Sequence, residues 1–331
     1  MTTIAIRGSG IAASGCAHIL TGAGFRVAIE HVRRPSVPTI MLSDPALELI
    51  RGVFDRPDLF SDRPRVRRRV VAWGGGPPVV VPHGAAVASE AQVQAALAVP
   101  NATFDDPAAF TIHTAPPVPA GEMRVFGDRN AVAARVRLRD RAWAGEVRIE
   151  AVESGWLYLV LEAAEAGWLL GVGGPIDALL GQSALIAPVV GAGGAASTPF
   201  SASPRLRLPL HGDDWLACGT AALGFDPICG DGVAQSVREA ILAAAVVAGI
   251  AEGGDQPALL THYRSMLIAA MRRHLLLCAQ FYANGERGEW WRAQHAALME
   301  GHHWCTGLLA KLPEPRFLLD GFRLARRAAA A

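Results

Sequence analysis

The sequence predicts a mixed α/β fold, in which a parallel βαβ unit is joined to an inserted antiparallel sheet and a helical C-terminal region. Three observations support this prediction. Residues 3 to 30 follow the pattern strand, glycine turn, helix, glycine stop and second strand. Segments rich in β-branched residues and turn signals fill 66 to 82 and much of 131 to 209. An apolar 3.6-residue period runs from 256 to about 311.

The order of these patterns predicts two interleaved domains, followed by the helical region. A chain of 331 residues with 51% hydrophobic content is long enough to bury the large core that this arrangement needs. We assign a discontinuous first domain to 1–65, 84–130 and 210–252, the inserted sheet to 66–83 and 131–209, and the helical region to 253–331.

Net charge and cysteine content limit the partners and the compartment. The formal net charge is +1, which indicates neither nucleic acid nor an anionic membrane as a partner. The five cysteines are scattered and lack a CxxC pair, so we expect no disulfide framework, no metal site and a cytoplasmic location. The N-terminus lacks a leader pattern. The longest apolar run, at 240–251, is too short to span a bilayer.

The first chemical motif is the N-terminal turn in IAIRGSGIAASG. Gly8, Gly10 and Ala13 match G-x-G-x-x-G/A between a strand and a helix, and Glu30 ends the next strand. The glycines allow a tight turn and close approach of a pyrophosphate, and the unpaired N–H groups of the helix attract phosphate. Glu30 would accept hydrogen bonds from ribose hydroxyls. The motif predicts a dinucleotide site formed by Gly8, Ser9, Gly10, Ile11, Ala12, Ala13 and Glu30, with Arg33 and Arg34 either over the adenine or at the surface.

A second glycine-rich segment, GTAALGFDPICGDG, precedes a helix predicted at 232–249. Backbone N–H groups from Gly230 to Val233, with the helix dipole behind them, would stabilise negative charge on the polar edge of a reduced flavin. The alternative is an ordinary N-cap, with Asp231 capping the helix. Combined with the first motif, the segment predicts an FAD site whose further residues are Gly219, Thr220, Asp226, Pro227, Gly230, Asp231, Gly232 and Val233.

The two motifs together resemble the class A flavoprotein monooxygenases and the flavin-dependent halogenases. The segments VVAWGGGPPVVVPHGAAVASE, SGWLYLVL and HLLLCAQFYANGERGEWW resemble most closely the flavoproteins that mature tryptophylquinone enzymes. The resemblance implies a Rossmann-like FAD domain of the p-hydroxybenzoate hydroxylase type, dioxygen, and an external reductant, either NAD(P)H or free reduced flavin. It further implies that a C4a-hydroperoxyflavin hydroxylates a tryptophan of a partner polypeptide during quinone cofactor biogenesis. A small-molecule aromatic hydroxylase and a non-catalytic chaperone of a partner subunit are the alternatives.

The sequence also departs from these families. Thr220 stands where the wider family has an aspartate for the ribityl chain, and IHTA at 112–115 replaces the usual DG segment. The halogenase tract W-x-W-x-x-I-P is absent. The single lysine, Lys311, lies near the C-terminus in a segment expected at the surface, which disfavours halogenation.

Three further features have two interpretations each. By resemblance His83 lies beside the flavin, where it could act as acid or base, but it could equally be a hydrogen-bonded turn histidine. Trp73 could wall the active cavity or pack in the core. The arginines of RPRVRRRV could dock an acidic partner or form the solvated face of a strand.

We expect the walls of an open cleft around GWLYLVL and the helices bearing Tyr282 and Trp290.

Overall fold

The computed structural model describes residues 2–33, 36–100, 107–139, 145–163 and 165–327. Within them the helices and strands, in chain order, are β1 (Thr3–Arg7), α1 (Ile11–Gly22), β2 (Arg26–Glu30), β3 (Ile40–Ser43), α2 (Asp44–Phe54), β4 (Arg65–Ala72), β5 (Val79–Ala88), α3 (Glu90–Ala96), β6 (Phe110–His113), β7 (Glu122–Val125), β8 (Asn130–Leu138), β9 (Glu146–Val152), β10 (Gly155–Ala163), β11 (Ala166–Val172), α4 (Ile176–Leu180), β12 (Val190–Ala196), β13 (Phe200–Ser201), β14 (Arg205–Leu208), β15 (Trp215–Ala217), β16 (Leu223–Gly224), α5 (Gly232–Ala251), α6 (Gln256–Ala283), α7 (Glu289–Leu309), β17 (Phe317–Asp320) and β18 (Arg323–Arg326).

A four-stranded parallel sheet forms the first layer, in the order β15-β6-β1-β2. Its strands are short and apolar because a parallel sheet is packed against other elements of the protein. Ile4, Ile6 and Ile112 in these strands are completely buried. Helix α1 packs against α5 so closely that a Cβ on Gly15 would lie 2.9 Å from the Cβ of Ala240. Parallel strands place their carboxyl ends on one edge, so the turns after β1, β6 and β15 lie together. The predicted βαβ opening is confirmed.

The second layer is a large mixed sheet in the order β12-β8-β11-β10-β9-β4-β5-β3, with β13 beside β8. Only β4 and β9 pair in parallel along this order. The predicted hairpin at 74–78 joins β4 to β5. Strand β5 continues to Ala88, so His83 lies within a strand and is not a turn histidine. The proposed domain boundary between 83 and 84 therefore falls inside a continuous strand.

Helix α5 is the central helix of the core. Its 20 residues are apolar enough to cross a membrane by length and composition, so the helix is longer than the apolar run that the sequence suggested. However, 61% of its most apolar window is buried inside the protein, where α1, α2 and α6 pack against it. Helices α6 and α7 pack against each other and confirm the predicted helical C-terminal region.

Candidate functional site

The turn after β1 is built for close approach to the backbone. Gly8 has φ +138°, and a Cβ there would lie 2.1 Å from Thr114 Oγ1, so only glycine fits. Gly10 has φ +107° and precedes α1, whose first turn has neither a side-chain cap nor an acidic residue. Ser9 donates its hydroxyl hydrogen bond to the carbonyl of Val32 at 3.0 Å. The N–H groups of Ile11 and the residues after it thus face the turn without a side-chain acceptor.

Glu30 ends β2 directly beside Arg7 of β1. The Arg7 guanidinium makes two contacts with its carboxylate, Nη2 to Oε1 at 2.9 Å and Nε to Oε2 at 2.7 Å. The Glu30 side chain is nevertheless 60% exposed, so ribose hydroxyls can reach it. Arg33 is exposed, and Arg34 lies outside the described residues. Sequence reasoning did not include Arg7, although the parallel register that pairs it with Glu30 follows from the motif.

The second motif meets the first through Thr114. Gly219 has φ +58°, and a Cβ there would lie 2.8 Å from the Cβ of Ala12. Thr220 is exposed and donates its hydroxyl to the carbonyl of Thr114 at 3.2 Å, while the Thr114 N–H donates to the carbonyl of Arg7 at 2.8 Å. The segment IHTA therefore lies between the two glycine motifs. The structure brings together Ala12 and Gly219, which are 207 positions apart in the sequence, as a single dinucleotide bound by both motifs requires.

The loop before α5 presents its backbone to solvent. Pro227–Cys229 form a 3-10 turn, and Gly230 follows with φ +63°. Asp231 occupies the N-cap position but its side chain makes no capping hydrogen bond. Instead its carboxylate is exposed and pairs with Arg238 at 2.8 Å. The N-cap interpretation of Asp231 is therefore wrong, and the N–H groups at Gly232 and Val233 remain without a side-chain acceptor.

Asp226 lies beneath this loop and not on its surface. It is only 2% exposed, and its carboxylate accepts from the Ile228 N–H at 3.0 Å and the Tyr282 hydroxyl at 2.9 Å. Arg129, also buried, completes an ion pair with it at 3.1 Å. The Asp226 backbone N–H donates to His274 Nε2 at 2.8 Å. This placement corrects the expected cofactor contact: Asp226 holds the loop in position and is not open to a ligand.

Glu239 supports the other loop from the interior. This side chain of α5 is 3% exposed and accepts a hydrogen bond from the Gly219 N–H at 2.9 Å. Burial raises the pKa of Glu239 to about 8, although the Gly219 hydrogen bond opposes the rise. The carboxyl is therefore largely protonated at neutral pH. The only signal for Glu239 in the sequence is weak: an acid directly before the apolar run at 240–251.

One face of the large sheet lies opposite the α5 loop. Arg69 of β4 is half-buried, and its Nη2 lies 4.0 Å from the position that a Cβ of Gly230 would occupy. The same Nη2 lies 3.2 Å from His83 Nε2. Because a guanidinium only donates, Nε2 of His83 accepts, and the imidazole is neutral. Burial lowers the pKa of His83, and the Arg69 charge lowers it further. With its lone pair used in this way, His83 positions Arg69.

Tyr158 extends this face on β10. Its hydroxyl donates to Met41 Sδ at 3.1 Å, and burial raises its pKa to about 12 while the Arg69 charge opposes the rise. The phenol therefore stays neutral at physiological pH. Sequence reasoning included Arg69 only as part of an arginine run. A register shift between Val66 and Arg68 interrupts the alternation of that run, and Arg65 and Arg67 are exposed.

Trp73 and the predicted aromatic walls have structural roles. Trp73 Nε1 donates to the Phe281 carbonyl at 2.9 Å, and its ring meets Trp291 edge-on at 5.3 Å between centroids. Tyr282 is 1% exposed and accepts from Trp156 Nε1 at 3.1 Å. These contacts tie the β4–β5 hairpin and β10 to α6 and α7. Trp73 is partly buried, so of its two interpretations these contacts favour packing against the core over lining a catalytic cavity.

Neither a family model nor a curated protein matches the sequence. Solved structures do match it. The peptidyl tryptophan dihydroxylase QhpG, essential for tryptophylquinone cofactor biogenesis, has a TM-score of 0.74 at 16% identity, over 98% of this chain and 86% of QhpG. The flavin-dependent halogenase CmlS has a TM-score of 0.74 at 17% identity, over 93% and 71%. The p-nitrophenol 4-monooxygenase PnpA from Pseudomonas putida DLL-E4 has 0.64 at 15%, over 93% and 98%. The chain thus has the fold of flavin-dependent halogenases and monooxygenases, and the predicted fold is confirmed.

Proposed function

We propose that this protein is an FAD-dependent monooxygenase that hydroxylates an aromatic substrate. The observation that supports this most directly is that α1 and α5, which pack against each other, both begin without a side-chain cap and close after a glycine of positive φ, Gly10 and Gly230. Phosphates and the polar edge of a flavin both carry negative charge that such N-termini stabilise. A nicotinamide dinucleotide would use only the first of the two sites.

The residues present fit FAD from end to end. Glu30 would receive the adenosine ribose, and the N–H groups from Gly10 to Ala13 would receive the pyrophosphate. Thr220, exposed between the two motifs, would contact the ribityl chain through its hydroxyl. The backbone from Gly230 to Val233 would receive the pyrimidine edge of the ring. A hydroxyl at Thr220 makes a neutral hydrogen bond, which is weaker than the contact of a charged carboxylate.

The bound flavin would supply the reduction of dioxygen by an external reductant and the delivery of one oxygen atom to the substrate. The protein's own contribution is electrostatic and steric. Arg69 places a positive charge opposite the Gly230 loop, and His83 holds that guanidinium in place. Tyr158 and the apolar residues packed beside it, Val147 and Val160, would help to exclude water from this face of the sheet. Neither NAD(P)H nor free reduced flavin is favoured as reductant by any contact of the described residues.

For the substrate, we propose a tryptophan side chain of a partner polypeptide. The similarity to QhpG extends over nearly the whole chain. In addition, the β4–β5 hairpin carries an exposed apolar segment, with Val79, Val80 and Val81 at 57%, 60% and 39% exposure. Exposed apolar patches of this kind suit a polypeptide partner better than a free aromatic molecule. A small-molecule aromatic hydroxylase and a non-catalytic chaperone are the alternatives. A cytoplasmic location is part of the proposal, based on five free cysteines.

Two measurements test this proposal at separate levels. The purified protein should release FAD on heating, or bind it from solution, and recovery of nicotinamide dinucleotide alone would contradict the cofactor assignment. Co-expression with an amine oxidase or dehydrogenase subunit encoded nearby should then add oxygen to one of its tryptophans, as read by peptide mass. Turnover of a free aromatic compound with no change in any partner would favour the small-molecule alternative. FAD binding that enhances partner folding without oxidation would favour the chaperone.

Halogenation is the other chemistry found among the structural neighbours. The sequence has one lysine, Lys311, and the structure places it exposed in the turn after α7. A lysine there is in solvent. Replacing Lys311 with alanine should leave oxidation unchanged, and added chloride or bromide should give no halogenated product.

A further inference from the structure

Two thiols meet directly behind the α5 loop. Cys229 ends the 3-10 turn that leads into Gly230, and Cys278 lies on α6. Their Sγ atoms are 3.4 Å apart, in van der Waals contact, although the residues are 49 positions apart in sequence. A disulfide needs a sulfur separation of about 2 Å, so a small rotation of the two side chains would join them.

The two cysteines differ in exposure. Cys229 is partly exposed, whereas Cys278 is completely buried. Burial raises the pKa of Cys278, so this residue is a neutral thiol. Burial also lowers the pKa of neighbouring His274 to about 3, so no imidazolium lies beside Cys278 to stabilise a thiolate. An oxidant from solvent would therefore meet Cys229 first, and Cys278 would be the resolving thiol.

The same three side chains could in principle hold a metal ion. One donor atom from each of Cys229, His274 and Cys278 lies within 4.8 Å of the others. His274 Nε2 is 3.3 Å from Cys278 Sγ, but it already accepts the N–H of Asp226 at 2.8 Å. A metal on Nε2 would break that hydrogen bond and disturb the loop that Asp226 anchors. The geometry favours a bond between the two sulfurs over coordination by all three residues.

From this placement we infer that Cys229 and Cys278 form a reversible disulfide site that hydrogen peroxide oxidises. The thiolate of Cys229 attacks one peroxide oxygen, which gives a sulfenic acid and releases hydroxide. The Cys278 sulfur then displaces the sulfenic oxygen, which takes up the Cys278 proton and leaves as water, and the hydroxide of the first step takes up the proton that Cys229 lost on ionisation. In total, two thiols and one hydrogen peroxide give one disulfide and two water molecules. The bond would tie the residue before Gly230 to α6.

A second pair of thiols provides an internal control. Cys16 and Cys218 also interact with each other, but both are completely buried. If contact alone determined oxidation, both pairs would react, whereas the inference requires solvent access as well. Only the pair with a partly exposed member should therefore form a disulfide. This inference does not rest on the proposed function, because the oxidant is added and the thiols are read directly.

The experiment uses the full-length protein, treated with hydrogen peroxide, alkylated and digested without reduction. We expect one linked peptide pair containing Cys229 and Cys278, with the mass loss of two hydrogen atoms, and its release by dithiothreitol. Cys16, Cys218 and Cys305 should be recovered as alkylated thiols. Cys229 is partly exposed, so the Cys229→Ser variant should fold. It should lose the linked peptide pair, whereas the Cys305→Ser variant should keep that pair.

Two results would overturn the inference. One is the absence of the linked pair from the wild-type protein while Cys229 is recovered as a sulfinic or sulfonic acid. The other is zinc or copper bound at one equivalent in the purified protein, absent from Cys229→Ser, which would identify the cluster as a metal site. The first result and the metal content of the purified protein are both read from the wild-type chain, so a folding defect in a variant does not affect them.

Discussion

The carboxyl edge of the parallel sheet and the facing surface of the large sheet are built in different ways. At the edge, backbone N–H groups and the glycines Gly8, Gly10 and Gly219 form the proposed binding surface, and the side chains of Asp226 and Glu239 support it from behind. On the large sheet, side chains from separate strands form the surface, as the pair of Arg69 and His83 shows. A surface formed by backbone atoms requires glycine at particular positions in the sequence. A surface made of side chains depends on strand register.

This comparison is tested most severely at Gly10. Gly10→Asp would force a residue with a side chain into φ +107°, at a cost of about 1–3 kcal/mol, and place a carboxylate where phosphate should lie. We expect FAD affinity to fall about 100-fold or more. Gly52→Asp is the control, because this exposed glycine of α2 has open space around it. Isothermal titration with FAD measures both. If Gly10→Asp and Gly52→Asp bound FAD with equal affinity, the turn after β1 would not bind the phosphates.

The support behind the edge is tested by Asp226→Asn. Neutralising this carboxylate leaves Arg129 as a buried charge without its partner, which costs about 3–5 kcal/mol. We therefore expect a large fall in the urea midpoint, with FAD still bound by the folded fraction. Asp231→Asn removes a carboxylate five residues further along, but this one is exposed, and stability should change by less than about 0.5 kcal/mol. If Asp226→Asn lost FAD binding while its stability stayed unchanged, Asp226 would contact the cofactor directly.

The comparison also explains how much could be predicted from sequence. The motif around Gly8 and Gly10 could be identified because its glycines, strand, helix and terminal acid have fixed spacing. Arg69 could not be placed, because a register shift at β4 separates it from Arg65 and Arg67. The burial of Asp226 was missed for a similar reason. Its partner Arg129 is about 100 residues away, and nothing local in GFDPICGDG indicates that the carboxylate points inward.

Glu239 makes the support behind the edge dependent on pH. The pKa of this carboxyl is about 8 in the folded protein and about 4.5 when unfolded. Between these values the folded state retains a proton that the unfolded state has lost, so stability falls as pH rises, by up to about 1.4 kcal/mol per pH unit. Below the unfolded pKa this contribution is fully present. We expect Glu239→Gln to flatten the decline between pH 5 and pH 8, as measured by urea unfolding at each pH. An unchanged slope would mean that the carboxyl ionises normally.

The last prediction concerns the side-chain surface itself, at Arg69. Arg69→Gln removes the charge opposite the Gly230 loop but leaves every glycine of the edge in place. Hydrogen bonds to charged groups contribute about 1.5–3 kcal/mol, so we expect substrate oxidation to slow by about 10- to 100-fold while FAD affinity changes little. Arg67→Gln is the matched control from the same strand, because its side chain is exposed. Stopped-flow absorbance separates flavin reduction from oxidation of the substrate. If Arg69→Gln released FAD and Arg67→Gln did not, the sheet surface would belong to the cofactor site, and the two surfaces would have to be treated as one.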